Sequence, residues 1–152
     1  MEILRRTGLV LLILIITGCS DVKRGEGVGE YGMMAENTPE YTAVMFMYSL
    51  YREPNLNTAM ELSSERMKRL LNNYRTNRNA QRHLIGLSYD TVEINPDGGD
   101  TVGRTEFAQK AEVTVFLTGF YQEDKIDELR TVKLIKEGGD WKVNDVEVDQ
   151  FL

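Results

Sequence analysis

AEVTVFLTGFYQEDKIDELRTVKLIKEGGDWKVNDVEV, residues 111–148, decides the fold. Ala111, Val113, Val115, Leu117 and Tyr121 alternate with Glu112, Thr114 and Thr118, the period-two pattern of a strand buried on one face. The polar run 122–125 turns the chain and residues 129–136 return. Gly138-Gly139 then supplies the positive φ that a tight hairpin demands before a last strand at 141–148. Three consecutive antiparallel strands are expected. In the last one, Trp141 and Val143 share one parity and Val146 and Val148 the other, so a bulge at Asn144-Asp145 would turn all four inward. An earlier strand, 87–94, ends in the turn-rich stretch 95–100 (NPDGGD).

Helices precede this sheet. Thr38 can cap a helix and Pro39 suits its first position, and Tyr41, Val44, Met45, Tyr48 and Tyr51 follow at helical spacing. The other side still carries Phe46, Met47 and Leu50, so this helix is expected to be central and buried on two sides. Pro54 closes it. A short helical segment at 57–62 follows, and Ser64 can cap another helix with Met67, Leu70, Leu71 and Tyr74 along one stripe, extendable through the polar residues 75–83.

The chain begins differently. Arg5 and Arg6 precede an apolar stretch from Leu9 to Ile16, and Ile16-Thr17-Gly18-Cys19 follows directly. A spanning helix needs roughly 20 apolar residues, so this stretch is too short to remain in a membrane and reads as a secretory signal. With its small residues and its cysteine it resembles the processing signal, or lipobox, of bacterial lipoproteins. That resemblance implies cleavage between Gly18 and Cys19, a diacylglycerol on the Cys19 thiol and an N-acyl chain such as palmitate on its amine. It also implies a cell-envelope address. Ser20 rather than an acidic residue follows the cysteine, which in such lipoproteins favours the outer membrane, periplasmic face. Cys19 is the single cysteine of the chain, so no internal disulfide can form. Three segments are expected: signal peptide 1–18; lipidated cysteine and glycine-rich linker 19–37, in which Met33 and Met34 can dock on the domain or stay free; and one domain, 38–152.

Helices followed by antiparallel strands ending in Gly138-Gly139-Asp140-Trp141-Lys142-Val143 resemble the cystatin-like fold of nuclear transport factor 2, and its small bacterial lipoproteins in particular. The expected class is therefore α+β, with N-terminal helices packed on a curved antiparallel sheet that forms a cone. Members of this fold serve as isomerases, dehydratases, secretion-apparatus subunits or binding modules, so the fold does not select a function.

The residues argue against catalysis. His83 is the single histidine, and Asp90, Glu112 and Asp145, the carboxylates on strands, occupy alternation positions that suit solvent equally well. No dyad is visible. Residues 95–100 break the spacing of a calcium loop, and Asp124, Asp127 and Glu128 read as a solvated hairpin tip, so neither a metal nor a diffusible cofactor is expected. Tyr41, Tyr48, Tyr51, Tyr89, Tyr121 and Trp141 could line a ligand cavity, although aromatic residues at such spacing are more often core.

Charge is more suggestive. Loss of Glu2, Arg5 and Arg6 with the signal leaves 16 basic and 23 acidic side chains, a net charge of −7, which argues against nucleic acid. Residues 52–82 nevertheless hold seven basic side chains against three acidic, whereas 86–152 hold seven against fifteen. Arg66, Lys68, Arg69, Arg75, Arg78 and Arg82 form a candidate patch for an anionic partner, with an ordinary solvated helix face as the plainer reading. The expected function is a non-enzymatic, lipid-anchored periplasmic binding or accessory module with an envelope protein as partner. A small-molecule or lipid carrier using the cone's cavity is the alternative, and a cavity enzyme of isomerase or dehydratase type the third.

Overall fold

The computed structural model describes residues 36–97 and 108–148. The signal peptide, Gly18, Cys19, Met33, Met34 and residues 98–100 of the turn-rich stretch lie outside the described residues.

Helix α1 (Pro39–Arg52) starts as its sequence dictates: Thr38 is extended, its hydroxyl accepts from the Tyr41 N–H at 3.2 Å, and Pro39 stands where no amide donor is needed. Ala43, Phe46, Met47 and Leu50 are fully buried. Of the expected stripe, Val44 is buried but Tyr41, Met45, Tyr48 and Tyr51 are only half-buried, so the side with Phe46, Met47 and Leu50 is the better-sealed one. The helix is central: it packs on all four strands and on two other helices.

After α2 (Asn57–Glu61) and α3 (Glu65–Tyr74, capped by the Ser64 hydroxyl at 3.3 Å from the Met67 N–H), the helix does not extend through residues 75–83 as a single rod. Arg75 takes a left-handed backbone (φ 66°) and ends α3. Thr76 caps the one-turn α4 (Asn77–Ala80), which runs into a π-helical turn, Gln81–Ile85, closed by Gly86 at φ 75°. The break has a use. It lets Asn77 Nδ2 donate to the carbonyls of Ser49 (3.1 Å) and Glu53 (2.8 Å), and Gln81 Nε2 to that of Leu50 (2.6 Å), which satisfies the last turn of α1.

Strands β1 (Thr91–Pro96), β2 (Lys110–Tyr121), β3 (Asp124–Glu137) and β4 (Asp140–Val148) form one antiparallel sheet in the order β1-β2-β3-β4. β1 starts later than expected because Leu87 still donates its N–H to Gln81 O (3.2 Å) on leaving the π turn. It also runs on through Asn95 and Pro96, where a turn was expected; a proline at the end of an edge strand breaks no ladder. Gly138 and Gly139 have φ of 63° and 98°, as the hairpin requires. In the β2–β3 hairpin the positive φ falls on Gln122 (57°), whose N–H donates to the Asp90 carboxylate at 2.6 Å.

The expected bulge is present. Lys133 pairs with Asp145 and Leu134 with Val143, leaving Asn144 extra, and Val143 and Val146 are both buried. Trp141 is half-buried and packs against the core, whereas Val148 is 50% exposed, so the bulge turns three of the four side chains inward. Val143 also exchanges backbone hydrogen bonds with Leu62 (2.8 Å) and Ser64 (2.9 Å), which covers the β4 edge. Gly119 is obligatory for space: a Cβ there would stand 2.2 Å from the Thr91 carbonyl and 2.6 Å from Tyr89. Helices on one face of a four-stranded antiparallel sheet make the fold α+β. Among the described residues no helix is long and apolar enough to cross a membrane.

Candidate functional site

The six cations expected to act together divide. Arg66 Nη1 meets Asp145 Oδ2 at 2.9 Å, and Lys68 Nζ meets Glu65 Oε1 at 2.8 Å. That hydrogen bond lifts the Lys68 pKa and lowers that of Glu65. Arg69, Arg75, Arg78 and Arg82 are exposed and form no ion pair with any described residue. The rings of Tyr74 and His83 stack at 5.9 Å, so Arg75 and Arg82, their chain neighbours, flank one contact, and Arg78 lies one helical turn before Arg82. This is a cationic edge made where α3 ends and the π turn begins. Arg75 holds its left-handed backbone at a cost of about 1 kcal/mol relative to glycine.

Of the candidate cavity aromatics, Tyr51 and Tyr89 are brought together as a ring pair. Tyr48, Tyr89 and Trp141 pack against the core, Tyr41 is half-buried at the start of α1, and Tyr121 is 45% exposed. Trp141 has Lys136 Nζ over its ring at 5.6 Å. Tyr89 pairs edge-to-face with Tyr51 at 5.7 Å. The three candidate carboxylates have separate roles: Asp90, just before β1 rather than in a strand, holds the Gln122 amide, Glu112 lies 4.0 Å from Lys133, and Asp145 takes Arg66. None bonds to His83 among the described residues, and no group of three potential metal ligands occurs among them.

Of the hairpin carboxylates, Asp124 and Asp127 are exposed as expected and Glu128 is not. Asp127 is exposed, and its hydrogen bond from Lys125 (2.8 Å) holds its carboxyl below the usual range. Glu128 instead meets Arg130, which the sequence reading passed over. Arg130, on β3, is 3% exposed and its side chain reaches the end of the π turn. Its Nε donates to Ile85 O at 2.8 Å and its Nη1 to Glu128 Oε2 at 3.1 Å and to the Leu129 carbonyl. Tyr51 and Tyr89 stand beside it, donating to the carbonyls of Leu87 (3.2 Å) and Leu117 (3.4 Å). Burial pushes the Tyr89 phenol up to about 12 and that of Tyr51 higher still, with the Arg130 charge opposing in both cases. The signal that could have found Arg130 is parity: it falls on the same face as Val132 and Leu134.

On the opposite face of the sheet, Phe116 (38% exposed) and Phe120 (47%) face outward, with Leu129 paired across from Phe116. No protein-family model matches this chain, and the search of curated proteins finds no match either.

Proposed function

We propose that this protein is a lipid-anchored, non-enzymatic binding or accessory module of the bacterial cell envelope. Acylated Cys19 holds it to the outer membrane, facing the periplasm, and a cystatin-like cone of residues 38–152 meets an envelope protein there. The observation that carries the reading is the set Arg75, Arg78 and Arg82, exposed and without carboxylate partners among the described residues, with the exposed Arg69 before them on α3. A guanidinium presents a planar fork of donors matched to a carboxylate, so such an edge suits an acidic protein surface. On a chain of net charge −6 a cationic edge also orients an approaching partner. The anchor adds effective concentration, since a partner in the same membrane meets the domain without diffusing through the periplasm.

The test is crosslinking in intact envelopes followed by capture, comparing the native chain with the triple variant Arg75→Gln, Arg78→Gln, Arg82→Gln. A defined partner that disappears in the variant, while its thermal stability is kept, supports the reading. Equal capture by both chains contradicts it. The anchor is tested separately: Cys19→Ser is expected to release the protein from membranes, and continued detergent partitioning would refute lipidation.

A further inference from the structure

Arg130 is a buried cation with donors to spare. A guanidinium carries five N–H donors in one plane. Nε is taken by Ile85 O, and Nη1 is divided between Glu128 and the Leu129 carbonyl, whereas both donors of Nη2 lack an acceptor among the described residues. Nη2 is not sealed. Asn77 Oδ1 is the one fully buried side-chain polar atom without a partner among those residues, so Nη2 reaches the surface although its side chain is 97% covered. It does so beneath Gly86, an exposed residue at φ 75° whose missing Cβ would stand 3.9 Å from Nη2.

We infer that the Nη2 edge of Arg130, approached past Gly86, binds a singly charged organic carboxylate. A buried charge is stable when its donors are met, and among the described residues its one ion-pair partner is Glu128, one-third exposed and attached by one hydrogen bond. Hydrogen bonds from a charged donor to a charged acceptor are roughly twice as strong as neutral ones, and they gain further where water is displaced. The neighbours displace it: Tyr51 and Tyr89 form an edge-to-face pair beside the guanidinium, their hydroxyls donating to Leu87 O and Leu117 O. Neither phenol oxygen accepts from Nη2. Glu128 shows the guanidinium donating to one carboxylate oxygen from the adjacent nitrogen, and its negative charge disfavours a dianion such as phosphate. The site is separate from the cationic edge and does not depend on it.

The test is a nitrogen–proton NMR titration of the full chain in detergent micelles with sodium acetate, at constant ionic strength against sodium chloride. Saturable shifts of the Gly86 amide and the Arg130 Nε–H are expected with acetate and not with chloride. Glu128→Gln removes the internal competitor at a partly exposed position and is expected to tighten acetate about tenfold. Arg130→Lys keeps the charge without the planar edge and is expected to abolish the saturable component. Linear shifts, equal shifts with chloride, or an affinity unchanged or weakened in Glu128→Gln overturn the assignment.

Discussion

Two helical regions lie against the same face of the sheet and are built on opposite terms. α1 carries charge at Glu40 and Arg52 only, and its middle is sealed by Ala43, Phe46, Met47 and Leu50. The stretch from Glu65 to Ile85 buries Met67, Leu71, Ala80 and Ile85 while exposing Arg69, Arg75, Arg78 and Arg82. It is fastened by polar ties, Asn77 and Gln81 to the end of α1 and Ser64 to β4, more than by apolar area. The difference teaches where function can change without loss of fold. α1 is the support, and the α3 to π-turn segment is a surface attached to it by a few anchors.

Phe46→Ala is expected to destabilise by about 3–5 kcal/mol in chemical denaturation; a loss under about 1 kcal/mol would remove α1 from the centre of the core. Met67→Ala, an anchor of the second region, is expected to cost about 2–4 kcal/mol. Alkaline pH acts on the junction between the regions. Tyr51 and Tyr89 titrate higher folded than unfolded, so their contribution is complete below about pH 10 and is lost as pH rises through the folded values. A denaturation midpoint that falls from pH 9 to pH 11.5, and falls less in Tyr89→Phe, is the expected result.

The smallest effects belong to the arginines. Arg75→Gly relieves a left-handed Cβ and is expected to raise stability by about 1 kcal/mol while weakening partner capture. Arg78→Gln and Arg82→Gln are expected to stay within about 0.5 kcal/mol of the native chain. Destabilisation above about 2 kcal/mol in either would make the cationic edge a structural feature.

Local signals carried much of the fold. The alternation at 111–121, Gly138-Gly139, the caps Thr38 and Ser64, and the parity switch that locates the bulge each act over a few residues, and each appears in the structure. What escaped depends on distance. The partner of Arg66 is Asp145, 79 residues away, so no local pattern separates Arg66 from Arg78 as a bridged cation. The break at Arg75 is unmarked because an arginine stands where the left-handed backbone would normally call for glycine or asparagine. Arg130 shares the inward parity of Val132 and Leu134, but Glu128 and Leu129 blur the alternation just before it.

The most direct test of the central claim is a site-specific photocrosslinker placed at Asn73, exposed on α3 beside the cationic edge, or at Phe120 on the outer face of the sheet. In intact envelopes a discrete protein adduct is expected from position 73, lost on substituting Arg75, Arg78 and Arg82, and none from position 120. An adduct from position 120 alone would contradict it and make the exposed aromatic face of the sheet the recognition surface.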